Sequence, residues 1–92
     1  RWPEADYTAA LCRELQTRAA EPVWSGRTVA TVFFGGGTPS LFAPASIAAI
    51  LAAARGLWPF AADVEITLEA NPGTVDAAKL AGFRAAGVNR LS

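Results

Sequence analysis

The chain has no histidine, no methionine and a single cysteine, and its eight basic residues are balanced by eight acidic ones. Each shortage excludes something. Without histidine, no imidazole can serve here as a general base or metal ligand. With Cys12 alone, there is no internal disulfide framework and no spaced cysteine metal motif. That usage fits a reducing, cytoplasmic setting. A net charge of zero gives no basic patch, so nucleic acid is not an expected partner. The longest apolar run, residues 47–54, is mostly alanine and ends at Arg55, too short to cross a bilayer. No transmembrane segment is therefore expected. With no methionine to start it, and a strand pattern at 88–92 that simply stops, the chain reads as an internal piece of a larger protein. Its 52% hydrophobic and 17% charged content suits an excerpt from buried layers.

What is present alternates between two periodicities. Tyr7, Leu11, Leu15 and Ala19 recur every four residues and predict a helix over 3–20, with Pro3 in its first turn and Glu4 and Asp6 at the positive end of its dipole. Residues 29–34, apolar apart from Thr31, read as a strand covered on both faces. Ile47, Ile50, Leu51, Ala54, Leu57 and Trp58 give a helix starting near Pro44, with Gly56 and Pro59 bracketing its end. A second strand is expected over 64–70, followed by an Asn71-Pro72-Gly73 turn. Thr74 or Asp76 would cap a third helix, whose buried face carries Leu80 and Phe83 and which Gly87 would end in a left-handed conformation. Val88 opens a further strand. Strands alternating with helices imply an α/β fold with a parallel sheet. Cys12 and the tryptophans at 2, 24 and 58 read as packing residues.

Two features carry chemistry. In VATVFFGGGTPSL, residues 29–41, a strand runs into three adjacent glycines. Three residues without Cβ strip a strand end bare, so that backbone N–H and C=O groups can meet a ligand directly. In parallel α/β folds ligands bind at the C-terminal ends of strands. The loop is neither the dinucleotide fingerprint nor a P-loop, because it lacks their later glycines and lysine. A phosphorylated ligand at the following helix N-terminus is one reading, which a nearby carboxylate opposes. The second feature is the alternation in the second strand. Val64, Ile66 and Leu68 take one face; Glu65, Thr67 and Glu69 take the other. An edge strand with one wet face would show this pattern. So would a barrel strand whose carboxylates point inward, and the adjacent glycine loop favours the barrel. Arg90 on the next strand could then reach Glu65, and Glu69 would sit level with the glycines.

Three stretches together resemble the radical S-adenosylmethionine (SAM) family: FFGGGTPSL at 33–41, EITLEANPGTVD at 65–76 and AAGVNRLS at 85–92. They look most like the oxygen-independent coproporphyrinogen III oxidase branch and, within it, the heme-chaperone type. The resemblance implies a partial (β/α)6 TIM-like barrel that holds SAM and a [4Fe-4S] cluster. Gly36, Gly37 and Thr38 match the loop that receives SAM's amino group, for which backbone carbonyls are suitable acceptors. Glu69 matches the acidic SAM-contacting residue at the next strand end. It could pair with the ammonium or accept from ribose hydroxyls. In the full protein, an electron from the cluster would cleave SAM to a 5′-deoxyadenosyl radical. The oxidase branch uses that radical to convert propionates to vinyls with loss of CO2, whereas the chaperone branch binds and hands over heme. The wording of the motifs favours the chaperone. The family's three-cysteine cluster motif is absent. Its place is before Arg1, and the rest of the barrel would follow Ser92. Residues 1–92 are therefore expected to be an internal fragment of a radical SAM core domain that by itself binds no cluster and is inactive.

Overall fold

A computed structural model describes residues 3–35, 42–71, 73 and 75–92. The elements run α1 (Glu4–Ala19), β1 (Val29–Phe34), α2 (Pro44–Leu57), β2 (Phe60–Leu68), α3 (Ala77–Ala86) and β3 (Arg90–Leu91). The strands form one parallel sheet in the order β1-β2-β3. The alternation anticipated from the periodicity is present, and all three helices begin and end close to where the stop and start residues place them.

The core lies on one side of this sheet. Ile47 and Leu51 of α2, Ile66 and Leu68 of β2, Phe83 of α3 and Val88 are buried together. Val32, Phe34, Phe42, Phe60 and Val64 pack around them. These residues are the alternate positions of the strands and one face of each helix, so the period of two meets the period of 3.6 along a single apolar seam. The α1 helix packs on α2, with the Cys12 thiol 3.9 Å from the Ala49 carbonyl. Trp58 donates its indole N–H to the Trp24 carbonyl, joining the α1–β1 loop to the end of α2. The α2 and α3 helices approach closely at Gly82, where a Cβ would lie 2.7 Å from Cγ of Pro44.

Helix α3 is closed at both ends by local chemistry. The Asp76 carboxylate accepts from the Lys79 N–H at 2.8 Å, an N-cap. Gly87 takes φ 122, and paired bonds run from Gly87 N–H to Arg84 O and from Val88 N–H to Phe83 O. This is the Schellman arrangement that glycine allows. Thr74, the other expected cap, lies outside the described residues, as does Pro72 of the expected turn.

The strands differ from expectation in three ways. First, β2 begins at Phe60 rather than Val64 and ends at Leu68. The Val29 N–H bonds to the Pro59 carbonyl at 2.8 Å, so the chain enters the sheet directly after the proline. Between the pairs Val29↔Phe60 and Thr31↔Glu65 the register shifts, and Ala61, Ala62 and Asp63 fall in that irregular stretch. Alanine and aspartate are poor strand formers, which hid this segment. Second, β3 starts at Arg90, and Asn89 just before it holds β2 with its side chain as well as through its backbone N–H to Ile66 O. Its Oδ1 accepts from the Ile66 N–H at 2.8 Å, and its Nδ2 donates to the Val64 carbonyl at 2.9 Å. Third, β1 is covered on one face only. Thr31 is exposed and Phe33 is 60% exposed, since the described residues supply no second layer. Leu80, expected in the core, is 40% exposed at the outer side of α3 beside β3.

Candidate cofactor-binding site at the strand ends

Parallel strands deliver their C-terminal ends to one rim. Here the rim is fixed by backbone bonds between the residues that follow each strand. The Glu69 N–H donates to the Phe34 carbonyl at 2.9 Å, Ser92 N–H to Leu68 O at 3.1 Å and Ala70 N–H to Ser92 O at 3.1 Å. The first of these bonds sets Glu69 beside Gly35, the start of the glycine stretch. Glu69 is exposed at this rim. Gly36, Gly37 and Thr38 lie outside the described residues. At Gly35 a Cβ would run into the Phe33 ring, at Cε1 and Cδ1. The exposed Phe33 ring thus lies against the backbone of the strand end, and a side chain at position 35 would require that ring to turn aside. Asn71, close by, accepts from the Gly73 N–H at 3.0 Å and holds the turn above β2.

Beneath the rim lies the sheet face opposite the helices, on which Thr67 is buried while Thr31, Phe33, Glu65 and Arg90 are exposed. The register pairs Thr31 with Glu65, Phe33 with Thr67, and Thr67 with Arg90, so these side chains share one face. The apolar set Val64, Ile66 and Leu68 takes the helix side, as the alternation predicts. Arg90 Nη1 reaches Glu65 Oε1 at 3.3 Å, the cross-strand contact expected from sequence. Both side chains are about half exposed, so the pair contributes little stability as it stands.

A second arrangement was not visible in the motifs. Helix α2 has Ala43 at its N-cap position, which offers no side-chain acceptor. The acceptor comes from α1 instead. Glu4 Oε2 accepts from the Ala43 N–H at 3.0 Å and from the Ser46 hydroxyl. The Ser46 bond, then the Ala43 backbone bond, hold the Glu4 carboxyl below its ordinary value of 4.5, with a smaller push the same way from Lys79. The sequence carried one sign of this: a helix opening at Ala43-Pro44 without a capping residue of its own. Asn89 was likewise unmarked, because it falls within the strand pattern at 88–92 as an ordinary strand position.

The donor set decides what this rim can hold. A carboxylate and exposed backbone at a strand end suit an ammonium or a hydroxyl-bearing group. An iron-sulfur cluster does not fit: among the described residues no three histidine, cysteine or acidic side chains group to hold a metal, and the sequence has one cysteine. No helix among the described residues is long and apolar enough to cross a membrane.

No protein-family model matches the chain. It is 46% identical over 90 residues to the heme chaperone HemW of Escherichia coli K12, covering 98% of this chain and 23% of that protein. It is 56% identical over 66 residues to the mitochondrial radical S-adenosyl methionine domain-containing protein 1 of Bos taurus, covering 72% of this chain and 15% of that one. It is 38% identical over 86 residues to the oxygen-independent coproporphyrinogen III oxidase of E. coli K12, covering 94% of this chain and 18% of that enzyme. Among solved structures, the E. coli coproporphyrinogen III oxidase HemN, described as a radical SAM enzyme, superposes with a TM-score of 0.83 at 36% identity. That match covers 96% of this chain and 20% of HemN. The chain thus spans about a quarter of the length of the relatives it matches, or less.

Proposed function

Starting from a chain that belongs to the radical SAM family, in its HemW- and HemN-like group, we propose that its glycine loop and Glu69 form one wall of the SAM site of a HemW-type heme chaperone. Residues 1–92 would be part of the core domain. Gly36, Gly37 and Thr38 would present backbone to the amino group of SAM, and Glu69 would add a carboxylate for the ammonium or for ribose hydroxyls. The observation that carries this reading is the Glu69 N–H to Phe34 O bond, which sets the acidic residue level with the first glycine. When bound, SAM supplies a cleavable sulfonium. The residues present here bind and orient it, and the cluster ligands are assigned to the part of the protein before Arg1. Heme is the proposed cargo, since HemW relatives from three organisms match over nearly the whole chain.

Equilibrium dialysis of the full-length protein with SAM tests the site. Glu69→Ala should weaken binding by about 10- to 100-fold, the range expected for losing a charge-assisted hydrogen bond. Unchanged affinity would remove Glu69 from the site. The HemN superposition favours a second reading, oxidative decarboxylation of coproporphyrinogen III. Heme binding and transfer without decarboxylation would support the chaperone; efficient decarboxylation would replace it with the oxidase.

A further inference from the structure

The register sets one basic side chain between two acidic ones. Arg90 is the only lysine or arginine in the three described strands. It pairs with Thr67, whose neighbours on the same face of β2 are Glu65 and Glu69. The ladder runs on past the last strand residues: the Ser92 N–H donates to Leu68 O and the Ala70 N–H to Ser92 O, so Ser92 lies opposite Glu69. Glu69 therefore keeps the two-residue alternation. It sits one pleat toward the rim from Thr67, and Glu65 sits one pleat away from the rim. With strands about 4.8 Å apart and a two-residue rise of about 6.6 Å, the backbone of either glutamate is about 8 Å from that of Arg90. An extended arginine side chain spans most of that distance, and a glutamate side chain closes the rest. The guanidinium is turned away from the rim: its Nη1 lies 3.3 Å from Glu65 Oε1. We propose that Glu65 is a positioning residue for the ligand site at Glu69: by holding the Arg90 guanidinium one pleat below the rim, it keeps that cation from occupying the carboxylate that meets the ligand. Once Glu65 is removed, Glu69 is the remaining carboxylate beside Thr67. A guanidinium tethered next to it then competes with the ligand at high effective concentration. This inference rests on the SAM reading above, but makes a separate claim, because Glu65 need not touch the ligand.

The test uses the full-length protein and SAM itself, by equilibrium dialysis, with urea unfolding to establish that each variant is folded. Glu65→Ala should weaken SAM binding about fivefold, the upper end for an ion pair as exposed as this one. Glu65→Thr keeps high strand propensity and should behave the same way. It serves in place of the alanine variant if that one folds poorly. Arg90→Gln alone should stay within about twofold of the parent. Combined with Glu65→Ala, it should restore the lost affinity, which a general loosening of the strand would not allow. Glu69→Ala is measured alongside. If it weakens SAM binding while Glu65→Ala and Glu65→Thr bind SAM as the parent does, the Glu65–Arg90 pair is only a surface contact and the proposal falls, with the SAM reading intact. The proposal also falls if Arg90→Gln does not restore binding, or by itself weakens binding as much as Glu65→Ala does, since the guanidinium would then serve the ligand rather than compete with it. If the parent protein binds no SAM, or if Glu69→Ala binds SAM as the parent does, both fall.

Discussion

Replacing Asn89 by alanine removes two hydrogen bonds from the middle of the sheet. In the native chain the Ile66 N–H is 2.8 Å from Asn89 Oδ1 and the Val64 carbonyl is 2.9 Å from Nδ2, and a third bond, Asn89 N–H to Ile66 O at 2.9 Å, is backbone and survives. Each neutral bond is worth about 0.5–1.5 kcal/mol net, and a buried group left without a partner costs about 1–3 kcal/mol. The Ile66 side chain is 1% exposed, but Asn89 is at the surface, so water can replace part of what is lost. The expected cost is therefore about 1–3 kcal/mol, most of it at the Ile66 amide. Urea unfolding gives the total, and native-state hydrogen exchange gives the location: the Ile66 amide should lose protection more than the Thr67 or Leu68 amides. Asn89→Asp keeps the acceptor for Ile66 but sets a carboxylate against the Val64 carbonyl, and should cost at least as much at neutral pH. If Asn89→Ala leaves both the unfolding free energy and the Ile66 protection unchanged, the amide is a surface ornament and the account of its hold on β2 is wrong.

Two further predictions follow from the core and the cap. Phe83 is fully buried, so Phe83→Ala should cost about 3–5 kcal/mol, read from chemical denaturation; a loss below about 1 kcal/mol would show that the site collapses around the smaller residue. The depressed Glu4 carboxyl makes the cap pH-dependent. Its folded value lies below the ordinary 4.5, so its stabilisation is complete above that value and is lost as pH falls through the folded one. The stability gap between the parent and Glu4→Gln should therefore be constant from pH 8 to 6 and shrink as the pH falls below the ordinary 4.5 and through the lowered folded value. A gap that holds constant to pH 3 would refute the ionised cap.

Elements with strong periodicity or terminal punctuation were legible in the sequence. The i, i+3, i+4 pattern of α2 and the residues Pro44, Asp76 and Gly87 gave the helices, and the alternation of Glu65 and Glu69 with Val64, Ile66 and Leu68 gave the orientation of the sheet. The Arg90–Glu65 contact followed from that orientation. Three things were not legible for a common reason: each depends on a partner distant in sequence. Residues 60–63 have little strand propensity and are drawn into the sheet by the Val29–Pro59 bond. Asn89 engages the backbone of β2 with its side chain only because that strand lies beside it. Glu4 looks like a residue suited to its own helix dipole, yet it caps a helix that starts about 40 residues later. At the rim, the position of Glu69 at the strand end was legible from the alternation of the strand, and its backbone bond to Phe34 fixes that position.

The contact of Gly82 with Pro44 bears on which substitutions this fold can absorb. A glycine inside a helix gives up about 1 kcal/mol of intrinsic helical preference relative to alanine. Ordinary drift toward better helix formers would be expected to replace it. Its neighbours Ala81, Arg84 and Ala85 face outward and are open to such change. Position 82 is not, because even a methyl group would lie 2.7 Å from the proline ring and push the two helices apart. The proline it would displace opens α2, one residue after the backbone amide that Glu4 holds. The one residue type without a side chain therefore fixes how closely α2 and α3 can approach, and so where α2 begins.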